Sequence, residues 1–222
     1  LRTAVPILEY ATEKAMDLVV LGTHGRSGLR RLVLGSVAEE LVRRLTCPTL
    51  VVRAPDDALE RSVPRLRRVV VPVDFSAHAY EALRHGRALA GLDGAHLDLV
   101  HVIDPVQEPA FYSTGLARRG ELERTLSEAA QGHLHEAYGE AGEGVAFHVL
   151  TGYPPEQIRD FAARTAADLI VMATHGLRGL ERYPLGSVTE RVVRATPCPV
   201  LVTRPFGTSL LAAGAVEEAH AP

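Results

Sequence analysis

Leu21 to Glu40 reads LGTHGRSGLRRLVLGSVAEE, and Met172 to Arg191 reads MATHGLRGLERYPLGSVTER. The second stretch repeats the first at a constant shift of 151 residues. Extended outward, Asp17–Arg53 aligns with Asp168–Arg204 without a gap. Identical pairs include Asp17/Asp168, Thr23/Thr174, His24/His175, Gly25/Gly176, Gly28/Gly179, Gly35/Gly186, Ser36/Ser187, Glu39/Glu190, Cys47/Cys198 and Arg53/Arg204. A gapless match through an apolar run, a glycine-rich turn, a helical pattern and a second apolar run argues for duplication. The period is the size of a domain, so tandem domains are expected rather than a solenoid.

The later copy reads as complete. Arg68–Val73, RVVVPV, is a continuous β-branched run, as a strand buried on both faces requires. Asp74 and Ser76 offer caps to a helix over about His78–Leu92. Leu97–Val102 follows as a strand, then a long loop from Asp104 to about Gly120, and a helix over Glu121–Tyr138. Val145–Leu150 is a third strand, and Pro155 fits the first turn of a helix reaching about Thr165. Leu169–Ala173, Val188–Arg194 and Pro199–Thr203 complete the series as strand, helix and strand. Such alternation argues for a parallel sheet covered on both faces. Ligands of such sheets bind outside the carboxyl ends of the strands, where the repeated turn lies.

The earlier copy holds only the back part of this series. Ile7–Ala15 matches the helix at Ile158–Ala166, and Leu18–Leu21 matches the fourth strand. Two strands cannot bury a full core alone. The reading therefore favours a natural protein in which the missing portion precedes residue 1, over a half that leans on its neighbour. The expected organisation is a partial domain at 1–53, a linker at 54–66, a complete domain at 67–204 and a loose tail at 205–222.

The turn itself suits an anion. Gly22 and Gly25 follow the strand directly, and without Cβ atoms they let a ligand lie against the backbone. Gly35-Ser36 and Gly186-Ser187 then open a helix, with Glu39 and Glu190 at capping-box spacing from the serines. A helix start offers unpaired N–H groups and a positive dipole end, where phosphate is the usual guest. From the residues alone, tight turns and serine caps with no ligand explain the pattern equally well.

Composition narrows the chemistry. Net charge is −3, which leaves no basic footprint for nucleic acid, and the apolar runs are too short to span a bilayer. Lys14 is the single lysine and lies in a helical pattern, so a Walker A loop and Schiff-base chemistry are both excluded. His24 and His175 have no partners at ligand spacing and read as loop residues. His133 and His135 point in different directions on their helix and are assigned no site. Cys47 and Cys198 read as buried thiols of a reducing cytosol, with a disulfide between the copies as the alternative.

The pattern G-x-x-G, nine residues, G-S, set between DLVVLGTHG and CPTLVV, resembles the universal stress protein family. Gly22, Gly25, Gly35 and Ser36 match that family's ATP-binding signature in full; Ala173, Gly176, Gly186 and Ser187 depart by one methyl group. VVVPVDFSAHA and TPCPVLVTR are similar to the family's first and last strands.

The resemblance implies an α/β fold with a five-stranded parallel sheet of order 3-2-1-4-5, helices on both faces, as one complete domain preceded by a C-terminal half domain. It implies ATP, with Mg²⁺ accompanying it. Pro72 and Val73 would wall the pocket, Asp74 would meet ribose and adenine, and the Val102 backbone would meet adenine. Arg178, by its place in the turn, reads equally as a phosphate-neutralising or a solvated surface residue; Ala173, Gly176, Gly179, Gly186, Ser187, Val188 and Thr189 would surround the phosphates. Gly22, Gly25, Gly35, Ser36 and Val37 would do so in the earlier copy, which lacks the adenine half.

By the same resemblance, Pro48–Arg53 and Pro199–Arg204 are edge strands that pair, within the chain or across a homodimer. The implied function is a cytoplasmic, nucleotide-responsive regulatory module that acts in stress response without membrane or nucleic acid. No residue set for hydrolysis stands out, and slow turnover stays open. A dimerisation scaffold that binds no nucleotide is the main alternative, and a nucleotidyl-transfer enzyme is the weaker one.

Overall fold

The computed structural model describes residues 3–22, 34–52, 65–104, 116–139, 142–174, 185–204 and 209–211. The chain begins with α1 (Ala4–Glu13), β1 (Val19–Gly22), α2 (Ser36–Arg44) and β2 (Thr49–Val52). It continues with β3 (Arg68–Pro72), α3 (Ala77–Asp93), β4 (His96–Ile103), α4 (Leu116–Tyr138) and β5 (Val145–Thr151). It closes with α5 (Pro154–Arg164), β6 (Leu169–Ala173), α6 (Ser187–Ala195) and β7 (Val200–Thr203). The seam at 53–64, most of the expected tail and the turn residues at 23–33 and 175–184 lie outside the described residues.

Local chemistry sets most boundaries. Val69, Val70 and Val71 in β3 are all fully buried, as their β-branched run requires. Ser76 caps α3 by accepting from the Ala79 N–H at 3.2 Å, and Gly94 ends it at φ 67°. Pro154 and Pro155 occupy the first turn of α5. Helix α4 differs from expectation, because it starts at Leu116 rather than near Glu121. Leu116-Ala-Arg-Arg are good helix formers, and they offset the roughly 1 kcal/mol cost of Gly120 within the helix.

The sheet corrects the expected strand count. Order 3-2-1-4-5 is present as β5-β4-β3-β6-β7, but the sheet does not stop there. It runs β1-β2-β7-β6-β3-β4-β5, seven strands in all. Every neighbouring pair is parallel except β2 and β7, which are antiparallel. In that pair Leu50 faces Leu201, Thr49 faces Val202 and Val51 faces Val200. At the sequence shift of 151, Leu50 is the counterpart of Leu201, so a local two-fold axis passes between these two side chains.

The same axis relates the helices alongside. Glu39 and Arg43 of α2 correspond to Glu190 and Arg194 of α6. Arg194 reaches Glu39 at 2.7 Å and Glu190 at 3.0 Å, while Arg43 reaches Glu39 at 3.0 Å and Glu190 at 4.0 Å. Each partly exposed pair adds at most about 1 kcal/mol, so the ladder and apolar burial dominate this join. Cys47 is buried, and neither cysteine forms a disulfide.

One sheet face packs Val70, Val100, Ile170 and Val202 against Ile158 and Phe161 of α5 and Val192 of α6. The opposite face packs Val71, Leu99 and Val171 against Ala82 and Leu83 of α3 and Leu134 of α4. A smaller cluster holds Ala4 and Ala11 of α1 on Leu41 of α2, with Leu45 and Cys47. Between β3, β4 and β5 the fully buried Asp98 carboxylate accepts from Arg68 at 2.8 Å and from His148 at 2.7 Å.

Helix α3 lies so close to β3 that a Cβ at Gly86 would meet Val71 Cγ2 at 2.5 Å. Gly86→Ala gains up to about 1 kcal/mol of helix propensity but overpacks a rigid, buried valine, which costs about 1–3 kcal/mol. Chemical denaturation should therefore show net destabilisation of about 1–2 kcal/mol, whereas a gain would mean the helix can move away.

Candidate functional site

The register Val69–Leu169 and Val70–Ile170 sets the carboxyl ends of β3 and β6 side by side. Two chain segments leave the sheet there, and both are tied down. At the end of β6, the Thr174 N–H donates to the Thr203 carbonyl at 3.1 Å, and the Thr174 carbonyl accepts from the Gly186 N–H at 2.7 Å. The chain thus departs at Thr174 and returns at Gly186 across this hydrogen bond. His175, Gly176, Arg178 and Gly179 fall inside this turn and lie outside the described residues.

Helix α6 starts at the neck of that turn. Gly186 is its N-cap at φ −57° and ψ 141°, and Ser187 is its first helical residue. The first helical hydrogen bond runs from the Glu190 N–H to the Gly186 carbonyl at 2.9 Å. The N–H groups of Ser187, Val188 and Thr189 therefore have no acceptor within the helix. This corrects the capping-box reading of Ser36 and Ser187, neither of which caps through its side chain. The extended N-cap conformation falls one residue earlier, on glycine, so the hydroxyl sits too far along to accept from the third helical N–H. Any residue can adopt those angles, so what glycine supplies at 186 is the missing side chain.

Thr189 does more than offer an N–H. Its hydroxyl is buried and donates to the Ala173 carbonyl at 2.8 Å, which fixes the first turn of α6 on the end of β6. In the earlier copy these two positions are Ala38 and Gly22. The repeat thus changes at both partners of one contact, a signal present in the alignment that the motif alone does not carry.

On the β3 side, Val73 is buried and its N–H donates to the Val100 carbonyl at 2.9 Å. Asp74 Oδ1 accepts from the Ser76 N–H at 3.2 Å and from the Ser76 hydroxyl at 2.6 Å. Ser76 rather than Asp74 is the cap of α3, and Asp74 is held at the sheet edge by that cap. Between them Phe75 takes φ 64°, a left-handed conformation that costs a non-glycine residue about 1–3 kcal/mol. Its ring lies 4.6 Å from His101 and 6.0 Å from Tyr138, centroid to centroid.

His101 donates from Nδ1 to the Val73 carbonyl at 2.9 Å. Burial pushes its pKa down, against the opposing pull of that hydrogen bond and of Asp74. The imidazole is thus a neutral prop under the Val73–Asp74 corner. Phe75 and His101 escape sequence reading, because neither belongs to a motif and the strained φ has no sequence signature. Val102 lies one residue further along β4, half-buried and facing Leu150 of β5.

The earlier copy repeats the helix start without the neighbouring corner. Gly35 is the N-cap of α2 at φ −61° and ψ 145°, and Ser36 and Val37 begin the helix. A Cβ at Gly22 would meet nothing within 4 Å. Gly25 lies outside the described residues, and among those described no strand flanks the outer edge of β1. Pro72, Val73, Asp74, Ala173, Gly186, Ser187, Val188 and Thr189 are therefore brought together, with Val102 on the adjoining strand. Gly22, Gly35, Ser36 and Val37 form a separate, half-built counterpart. Among the described residues, no group of His, Cys, Asp or Glu is arranged to hold a metal, and no helix is long and apolar enough to cross a membrane.

Comparison with known proteins bears on the same residues. The profile described as the universal stress protein family matches residues 2–53 and 65–204. Universal stress protein MJ0531 of Methanocaldococcus jannaschii is 38% identical over 144 residues, covering 62% of this chain and 82% of that protein. Universal stress protein Rv2005c of Mycobacterium tuberculosis is 32% identical over 205 residues, covering 91% of this chain and 66% of the longer relative. Among solved structures, MJ0577 of M. jannaschii superposes with a TM-score of 0.57 at 30% identity, covering 64% of this chain and 97% of that one.

The prop under the corner has a pH signature. Unfolded, His101 takes up its proton near its ordinary pKa of 6.5; folded, it does so only at lower pH. Between those values the unfolded chain binds the extra proton, so stability falls as pH falls below neutrality. His101→Asn, which keeps a donor near Nδ1, should flatten this loss in denaturation series run from neutral to mildly acid pH. An unchanged slope would mean the imidazole titrates as in water.

Proposed function

We propose that this chain, which belongs to the universal stress protein family, binds ATP between the ends of β3 and β6 and acts as a nucleotide-responsive regulatory module in stress response. One observation carries the reading. The Gly186–Thr174 hydrogen bond pins the start of α6 at the sheet edge, with three N–H groups that have no helical acceptor and no side chain at Gly186 to block them. Such a start is a ready anion site, and the Val73–Asp74 corner stands beside it on the neighbouring strand.

The donor set fits a nucleotide. Ser187, Val188 and Thr189 would hold phosphate oxygens through N–H groups, and Pro72, Val73, Asp74 and Val102 would face the nucleoside. Mg²⁺ would arrive with the phosphates, which supply its oxygens. Binding would order the turn between Thr174 and Gly186, and that turn would report the nucleotide to a partner in the cytoplasm. The duplicated elements would act as tandem domains, the earlier of them partial.

A second reading, a scaffold that binds no nucleotide, is favoured by the β2–β7 ladder, which already joins the two repeats. Calorimetry separates the two. The wild-type chain should release or absorb heat on titration with MgATP, saturating below millimolar nucleotide. Gly186→Val adds bulk at the phosphate position without backbone strain, since its φ and ψ suit any residue. It should weaken binding at least about tenfold, near 1.4 kcal/mol, while leaving the thermal transition in place. Absence of heat in both proteins at millimolar nucleotide would leave the scaffold.

A further inference from the structure

Helices α5 and α6 pack on one another and both start at the carboxyl end of the sheet, but the two starts differ in what they offer. Pro154 and Pro155 open α5 and have no N–H. The next two N–H groups, of Glu156 and Gln157, both donate to the Tyr153 carbonyl at 3.1 Å. That start holds nothing for an anion; its effect is to fix Tyr153. Just before it, the Gly152 N–H donates to the Ile103 carbonyl at 2.9 Å, and Gly152 takes φ 140°, which a side chain disfavours. The segment leaving β5 is thus pinned across the carboxyl end of β4 and carries Tyr153 toward α6.

Tyr153 stays 40% exposed, and the Arg191 guanidinium of α6 lies over its ring, 5.4 Å from the centroid. Arg191 stands one helical turn after Ser187, and both are exposed on the same side of α6. Side chains on a helix lean toward its N-terminus, so a residue one turn in covers the ground over the first turn. The contact with Tyr153, at the carboxyl end of the sheet, agrees with that direction. No described residue so far assigned to the site is a cation, and Asp74 is an anion. Arg194, the other cation of α6, is engaged by Glu39 and Glu190, whereas among the described residues no ion pair engages Arg191. The repeat supplies a control. The counterpart of Arg191 is Glu40, which pairs with Arg44 at 3.0 Å, so the charge beside the helix start is reversed in the half-built copy.

We propose that Arg191, held on the face of Tyr153, is a further binding residue of the later site: it meets the phosphate chain beside the start of α6 and so selects nucleoside di- and triphosphates over the bare nucleoside. The proposal rests on the nucleotide reading given above. Backbone N–H groups can hold phosphate oxygens but do not neutralise their charge, and a guanidinium does both. Stacking on Tyr153 occupies only the flat face of the guanidinium and leaves the donors along its edge for phosphate. The ring also limits where the long side chain can go, so less freedom is lost when the ligand arrives. Tyr153 is a positioning residue in this arrangement, and Arg191 is the one that touches the ligand.

The test is calorimetric titration of the full chain with MgATP, with adenosine measured by its competition against MgATP. Arg191→Gln should weaken MgATP at least about tenfold, and Arg191→Glu more, while adenosine stays within about twofold of its wild-type affinity. The thermal transition should not move, because Arg191 is exposed. Added salt should weaken MgATP less in Arg191→Gln than in the wild type, since one charge contact is gone. Tyr153→Leu, which frees the guanidinium, should give a smaller loss in the same direction. Arg191 variants that bind MgATP as the wild type does would overturn the proposal and leave the ATP reading standing. So would equal losses for MgATP and adenosine, or a larger loss from Tyr153→Leu than from Arg191→Glu, which would set the ring rather than the cation against the ligand. A wild-type chain that binds no MgATP would instead remove the ATP reading, and the phosphate role of Arg191 with it.

Discussion

The antiparallel ladder between β2 and β7 is the constraint on which the molecule depends. Each repeated unit ends in a short apolar strand, and such a strand left at a sheet edge exposes a row of unpaired backbone groups. Here the two strands satisfy one another, Leu50 against Leu201, and a single continuous sheet results. The two strands meet in opposite directions. The local two-fold axis follows, and with it the reciprocal Glu39–Arg194 and Arg43–Glu190 contacts. The four charges are partly exposed and set orientation more than strength. Arg204, whose charge is largely withdrawn from solvent by burial, adds a contact from the end of β7 to the Val42 carbonyl of α2.

The site is a consequence of strand order within the later unit. Because β3 and β6 are neighbours, the segments leaving their carboxyl ends face each other without any long-range contact being needed to bring them there. What remains is to hold each segment rigid. On one side this falls to the Gly186–Thr174 hydrogen bond and the Thr189 hydroxyl; on the other, to Ser76, His101 and the left-handed Phe75. Strain at Phe75 persists because its ring is packed among His101 and Tyr138. The earlier unit has the helix start but no neighbour for β1, so the same motif yields half a site in one copy and a closed corner in the other.

Much of this was legible in the sequence because it is local. The run Leu169–Ala173 and the glycine–serine helix starts need only neighbouring residues, and the strand order followed from the family resemblance. Pairing of Pro48–Arg53 with Pro199–Arg204 was expected from the resemblance, within the chain or across a homodimer; the choice between these and the antiparallel direction were harder to read, since the pair joins residues about 150 apart and no local pattern fixes them. The early start of α4 was missed because Gly120 reads as a breaker while the flanking residues favour helix. The serine caps were misread by one position, because spacing alone does not say which residue holds the extended conformation. Phe75 and His101 carry no motif, and their roles exist only once β3, β4 and α4 are packed together.

Native-state hydrogen exchange with mass analysis, run in rising sub-denaturing concentrations of urea, tests most directly whether the ladder makes one cooperative body. The account predicts that Thr49–Val52 and Val200–Thr203 merge into a single opening of the same free energy. Exchange of Thr49–Val52 through a separate, easier opening, with Val200–Thr203 still protected, would contradict it.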